Sequence, residues 1–124
     1  MGELMLQQEE RGLSGSVKHD IEIKIIKGEY AAGERIPPIR KIAEIYGIGM
    51  TTATKILLEM SSDGTIYQRR GVGYFVKPYV RDNLIAKYKI KLEKMIIEAF
   101  EYADMIDADP MIIVNKINET KIKR

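Results

Sequence analysis

The feature that most constrains the fold of this chain is the stretch from Ile36 to Val76, where two helical patterns precede a hairpin pattern. Pro37 and Pro38 stand at the start of the first pattern, where missing N–H groups are tolerated. Gly47 and Gly49 lie in the short gap that follows, which suits a tight turn between helices. Apolar residues recur twice at the spacing of one helix face, first at Ile39, Ile42, Ala43 and Tyr46, then at Ala53, Ile56, Leu57 and Met60.

A β-hairpin is predicted directly after the second helix. Gly64 stands where a helix commonly ends in a left-handed residue. Residues 66–68 and 74–76 are rich in aromatic and β-branched side chains, and they flank a glycine-bearing tip at residues 69–73. No third glycine, Gly-Lys-Ser/Thr sequence or following helix supports a phosphate-binding loop there. The order helix, turn, helix, hairpin predicts a winged helix-turn-helix, with the hairpin as the wing.

The polar face of the second helix points to double-stranded DNA as the partner. Thr51, Thr54 and Lys55 lie opposite the apolar stripe, with Thr52 on its flank. Small hydroxyl side chains allow close approach to a groove, and in this motif the start of the second helix meets the bases. Two arginines at the hairpin tip, Arg69 and Arg70, would reach phosphates or a minor groove.

These residues resemble the GntR family of bacterial transcription regulators over roughly residues 16–77. The shared features are Gly28, the Gly33–Pro37 segment, Arg40–Ala43, Gly47-Ile48, Thr52-Ala53, residues 63–66 and Gly71-x-Gly73-x-Phe75-Val76. The resemblance implies that Arg40, at the start of the first motif helix, contacts DNA. It assigns the recognition positions to Gly49, Met50, Thr51, Thr52 and Thr54, and the wing contacts to Arg70 and Gly71.

This sequence departs from the family pattern at three positions. The family usually has Ser at position 38, Ser or Asn at 49 and often Arg at 50, where this chain has Pro38, Gly49 and Met50. The preferred operator is therefore expected to differ from that of better-known members. The C-terminal tail is similar to that of the subgroup named after YtrA, whose members lack the large effector-binding domain. The resemblance further implies repression as the common mode of action.

The segments around this unit divide the chain into three predicted parts. Residues 1–14 are expected to form a flexible leader, and residues 15–78 the DNA-binding domain. Its first helix is predicted over residues 16–27, where Val17, Ile21 and Ile25 are spaced by four. Residues 79–124 are predicted to form a helical hairpin, in which Asp109 caps a helix that begins at Pro110. The fold class is thus mostly α with a small β-hairpin wing.

The helical hairpin carries a heptad pattern that predicts a homodimer. It is too small to bury its own apolar surface, although packing against the winged helix or a membrane surface are alternatives. The predicted dimerisation residues are Ile85, Tyr88, Leu92, Met95, Ala99, Tyr102 and Ile106, widened by Ile96 and Phe100.

Composition excludes several other classes of function. The chain has no cysteine, one histidine and no nucleophile elbow, so an enzyme, a metal site and a cofactor are not expected. No signal peptide or membrane span is present, and a cytoplasmic protein is predicted. The net charge of +2 is small, but residues 16–79 carry ten basic and seven acidic residues. A protein-interaction module and a non-specific architectural DNA binder remain as alternatives, and no residue indicates a small-molecule effector.

Overall fold

The computed structural model describes residues 15–122 of the chain, so the predicted leader at residues 1–14 lies outside it. Helix α1 covers residues 15–26, α2 Ile39–Tyr46 and α3 Met50–Ser62. Strands β1 (Ile66–Arg69) and β2 (Gly73–Val76) form the hairpin. Helices α4 (Val80–Met105) and α5 (Pro110–Ile122) follow. The mostly helical fold with a hairpin wing is the one that the sequence predicts.

Two compact units are present, and they divide at Ile85/Ala86. The first unit contains the winged helix together with the first residues of α4, because Val80 and Leu84 belong to its core. Arg81 Nε also donates a hydrogen bond of 2.7 Å to the carbonyl of Ile26 at the end of α1. The start of α4 is therefore part of the winged-helix unit, seven residues beyond the boundary that the sequence pattern suggests at position 78.

The core of the first unit is made by the apolar faces that the periodicity predicts. Ile21 and Ile25 of α1 and Ile42 of α2 are at most 2% exposed. The predicted face of α3, comprising Ala53, Ile56, Leu57 and Met60, is completely buried. Burial of a side chain of this size stabilises a fold by about 1.5–3 kcal/mol, so the four faces together orient α3 with its polar side outward.

The wing is a two-stranded antiparallel sheet in which Ile66 pairs with Val76 and Arg69 with Gly73. Residues 33–36 add a short third segment along β2, with an isolated bridge between Arg35 and Phe75. Ile36 N–H donates to the carbonyl of Tyr74 and Val76 N–H to that of Glu34, each at 2.9 Å. This third segment is not part of the sequence prediction. It fixes the base of the hairpin to the chain that leads into α2.

The second unit consists of the rest of α4 and of α5. Asp107, at φ 55°, ends the first helix, and its N–H donates to the carbonyl of Asp104. The Asp109 carboxylate then accepts a 2.9 Å hydrogen bond from the N–H of Met111, which is the predicted N-cap. None of the helices within residues 15–122 combines the length and apolar character that crossing a lipid bilayer requires.

Candidate nucleic-acid interface

The turn between α2 and α3 sets the geometry of the site. Gly47 has φ 61°, and its N–H donates to the carbonyl of Glu44 while Ile48 N–H donates to that of Ala43. This pair of bonds closes α2 with a left-handed residue, which glycine adopts without steric cost. Gly49 follows in an extended conformation as the N-cap of α3. Two residues therefore suffice to reverse the chain between the helices.

The first turn of α3 is open to solvent. Gly49 and Thr51 are exposed, Met50 is 48% exposed, and Thr52 is half-buried. No side chain caps the helix, and no acidic residue lies in its first turn. The free N–H groups and the positive end of the helix dipole consequently face outward without a competing negative charge. These are properties that favour a polyanion at this end of the helix.

Two further predicted residues of α3 differ in the state of their polar groups. Thr54 is half-buried, and its hydroxyl donates a hydrogen bond of 2.8 Å to the Met50 carbonyl within the helix. The Thr54 oxygen is therefore left as an acceptor towards a ligand, while its methyl group remains an apolar contact. Lys55 is exposed next to it. Arg40, on α2, is exposed as well, so that all the predicted positions in this region except Thr52 and Thr54 are fully accessible.

The wing places its cations outside the core. Arg69, Arg70 and Gly71 are exposed, and Gly71 has φ 76° at the tip. The Arg69 guanidinium carbon lies 5.1 Å from the centre of the Phe75 ring. Tyr67 stacks against the same ring with centroids 5.7 Å apart. A cation held over an aromatic face has fewer conformations to lose when it binds a phosphate.

Arg35 is a basic residue near the wing that the sequence prediction does not include. Its side chain lies over Gly73, where a Cβ atom would come within 3.0 Å of Arg35 Nε. No sequence signal identifies this position, because the contact depends on the third strand segment at residues 33–36.

One ion-pair network attaches the end of α3 to α1. Lys18 Nζ lies 2.7 Å from one carboxylate oxygen of Asp63, and the other oxygen accepts hydrogen bonds from the N–H and hydroxyl of Thr65. Burial raises the pKa of the Asp63 carboxyl, but the bonds from Lys18 and Thr65 and the Lys18 charge outweigh it and lower the pKa. The helix that presents the site is thus anchored at its far end.

A second network attaches α2 to α1. The Tyr46 hydroxyl donates to the Asp20 carboxylate and accepts a 3.3 Å hydrogen bond from Lys24 Nζ. Burial and the Asp20 carboxylate raise the pKa of Tyr46 to about 12, against a smaller opposing effect of Lys24. The sequence pattern places Tyr46 on the apolar face of α2, and the structure shows that its ring is only half-buried while its hydroxyl is bound.

The predicted dimerisation residues lie mainly in the second unit and are largely accessible. Leu92, Ile96, Phe100, Tyr102 and Ile106 are between 42% and 64% exposed. Ile85, Tyr88 and Met95 are half-buried and Ala99 is exposed. Ile85 belongs to the first unit. Dimerisation through these residues stays a prediction.

A family model described as "Bacterial regulatory proteins, gntR family" matches residues 13–76, which is just over half of the chain. The Uxu operon transcriptional regulator of Escherichia coli (strain K12) is 40% identical over 52 residues, covering 42% of this chain and 20% of that protein. The chain therefore spans only about a fifth of the length of this curated relative.

Solved structures share the fold. A GntR family transcriptional regulator from Listeria monocytogenes superimposes with a TM-score of 0.70 at 19% identity, over 90% of this chain and 97% of that one. AraR(DBD) in complex with operator ORX1 gives a TM-score of 0.50 at 26% identity, over 52% of this chain and 77% of that one. Together with the match at residues 13–76, the winged helix establishes that this chain belongs to the GntR family of bacterial regulatory proteins.

Proposed function

We propose that the chain is a cytoplasmic transcription repressor that binds an inverted-repeat operator as a homodimer. The observation that supports this most directly is the first turn of α3, which is exposed, uncapped and free of acidic residues. A helix of this kind fits the major groove with its N-terminal residues against base edges. The similarity to AraR(DBD), whose structure contains an operator, supports DNA as the partner.

The proposal divides the site residues by their chemistry. Arg40, Lys55, Arg69 and Arg70 are exposed cations that bind phosphates. Met50, Thr51, Thr52 and Thr54 offer methyl groups for thymine and hydroxyls for base edges. Gly49 and Gly71 present backbone without a side chain, which permits close approach of the DNA backbone.

Two variants and one control separate these roles. Arg40→Ala should weaken binding to every duplex by about tenfold, which corresponds to the loss of one charge-assisted bond of about 1.4 kcal/mol. Thr52→Val should change the ranking among sequences with little effect on non-specific affinity. Lys27→Ala, at the exposed end of α1, is the matched control and should bind as wild type.

Fluorescence anisotropy supplies the measurement. The full chain is titrated with a random-sequence duplex and then with sequences selected from a random duplex pool. Affinity for both should fall steeply as salt is raised. Absence of binding to either duplex at low salt would reject the proposal in favour of a protein-interaction module, the alternative that the low net charge of +2 favours. Equal affinity for both would indicate an architectural binder.

The homodimer is proposed from the apolar surface of α4. Leu92 and Phe100 are 54% and 42% exposed, and contiguous apolar surface of this kind is typical of an interface. A two-fold dimer would hold two copies of α3 about one DNA turn apart or a multiple of it. The selected operator should then contain an inverted repeat.

Sedimentation equilibrium tests this step. Leu92→Asn and Phe100→Asn should shift the wild-type dimer towards monomer and should reduce affinity for the full operator more than for a half-site. Lys94→Asn replaces an exposed polar residue of the same helix and should leave the dimer unchanged. A wild-type monomer at micromolar concentration would contradict the dimer while leaving half-site binding intact.

A further inference from the structure

We infer that Arg35 is an additional DNA-contacting residue, which together with Arg69 brackets the wing so that the two guanidinium groups bind the phosphate backbones on the two sides of a minor groove. This inference rests on the proposed function. It concerns the outer face of the wing, by which we mean the sheet face opposite to the core. Arg35, Arg69 and the ring of Phe75 lie on this face.

The register of the sheet defines that face. Arg35 bridges Phe75, which pairs with Tyr67, and Arg69 pairs with Gly73. Side chains directly opposite each other in neighbouring strands project from the same face. Tyr74 and Val76, which alternate with Phe75, belong to the core. The outer face therefore carries two aromatic rings with an arginine on either side of them.

The position of the Arg35 side chain is fixed by its surroundings. The hydrogen bonds of Ile36 N–H and Val76 N–H, both 2.9 Å long, hold the backbone on either side of Arg35 against β2. Gly73 has φ 143° and no Cβ, and the Arg35 guanidinium occupies the space beside it, with Nε 3.0 Å from where a Cβ would lie. Gly73 is two residues from the exposed tip glycine, Gly71. The cation of Arg35 thus lies at the end of the hairpin that a groove would receive.

The two arginines lie on opposite sides of β2. Arg69 belongs to β1, on one side of this strand, and Arg35 belongs to the bridging segment on the other. Among residues 15–122 no ion pair to a carboxylate involves either of them, so both charges are available. A minor groove about 6 Å wide is bordered by a phosphate backbone on each side. A hairpin entering it at Gly71 would bring one arginine to each border.

Salt dependence of DNA binding tests the assignment. Each arginine–phosphate contact that is lost should reduce the slope of log K against log salt by about 0.9, hence by about twice that in a homodimer. Arg35→Gln and Arg70→Gln should both show this reduction with a random-sequence duplex, and affinity should fall about fivefold to tenfold at moderate salt. Arg35→Lys should restore the slope because the positive charge is retained. Lys27→Gln removes one exposed charge at the end of α1 and should keep the wild-type slope.

A second measurement uses the wild-type chain and altered DNA, so that the inference does not depend on the folding of a variant. Methylphosphonates replace single phosphates along the wing side of the selected operator. Neutralising one phosphate on each border of the groove should weaken wild-type binding. The substitution on the Arg35 side should have no further effect in Arg35→Gln.

The outcomes distinguish this inference from the proposed function. Wild-type binding that is lost in Arg70→Gln but unchanged in slope and affinity in Arg35→Gln would overturn the role of Arg35 alone. Methylphosphonate sensitivity on only one border would do the same. Failure of the wild-type chain to bind any duplex would instead reject the proposed function.

Discussion

Replacing Asp63 by asparagine tests how the site-bearing helix is anchored. The Asp63 carboxylate follows α3 and connects it to Lys18 of α1 at 2.7 Å. It also accepts hydrogen bonds of 3.2 Å and 2.6 Å from the N–H and hydroxyl of Thr65 at the start of the wing. Asparagine keeps the size of the side chain and one acceptor oxygen, but it removes the charge. The substitution therefore isolates the electrostatic part of the anchor.

The magnitude follows from the exposure of the pair. The side chains of Lys18 and Asp63 are 23% and 37% exposed, so the pair lies between a surface salt bridge and a buried one. Exposed pairs contribute about 0.2–1 kcal/mol, and hydrogen bonds to charged groups about 1.5–3 kcal/mol. After allowance for solvent screening, we expect Asp63→Asn to lower the free energy of unfolding by about 1 kcal/mol at neutral pH. With a urea m-value of about 2 kcal/mol/M, the midpoint should fall by roughly 0.5 M.

The pH dependence gives an independent check. The pKa of Asp63 is lower in the folded chain than its usual value of 3.8, because the bonds and charge from Lys18 and Thr65 outweigh the effect of burial. A carboxyl with a lowered folded pKa contributes stability that is present above the unfolded pKa and is lost as pH falls through the folded pKa. The difference between wild type and Asp63→Asn should hence be constant near neutrality and disappear in acid.

Urea unfolding followed by circular dichroism, at one protein concentration, measures these differences. Asp82→Asn is the control, because its carboxylate is 82% exposed and lies 4.0 Å from Arg81. It should leave the midpoint nearly unchanged. If Asp63→Asn unfolds at the wild-type midpoint at pH 7, or if its deficit persists at pH 2, the anchoring role is wrong.

Three further substitutions are predicted to act through features of the same unit. Tyr46→Phe removes the hydrogen bond to Asp20 and should cost about 1 kcal/mol at pH 7. Because the folded pKa of Tyr46 is raised to about 12, its contribution is complete below pH 10 and is lost as pH rises towards 12, which a spectrophotometric titration of the two chains should show. Gly47→Ala should cost about 1 kcal/mol because φ is 61° in open space, with Gly47→Asn costing less by urea unfolding. Ile56→Ala, at a fully buried position, should cost about 2–5 kcal/mol in the same assay.

The fold was predictable from sequence where a periodic pattern coincided with punctuation by glycine or proline. The stripe from Ala53 to Met60 is buried along its whole length, and the left-handed residue Gly47 ends α2 where the pattern stops. Such patterns work because each apolar face has only one way to be removed from water in a small domain. The strands were predicted to within one residue, since Arg69 and Gly73 prolong the hairpin at its tip.

Contacts that depend on tertiary structure were not predictable in the same way. The bridge between Arg35 and Phe75 joins segments forty residues apart, and a single bridged residue leaves no alternating pattern in the sequence. The direction of the Thr54 hydroxyl is likewise a rotamer choice, settled by the Met50 carbonyl. The sequence indicates which residues face outward, whereas the bonds that their polar atoms already make must come from the structure.

The same distinction explains why the C-terminal helices define a surface but not its partner. Ile90, Ile97 and Met105 are 57–79% exposed, as are several members of the predicted heptad, so apolar side chains occupy more than one side of α4. A strict coiled-coil seam would confine them to one stripe. If the proposed homodimer forms, its interface must therefore be wider than two residues per heptad, and it should tolerate one substitution at Ile106 better than one at Leu92 in the middle of the helix. Sedimentation of these two asparagine variants would distinguish a broad helical interface from a narrow seam, because a narrow seam predicts similar dissociation for both.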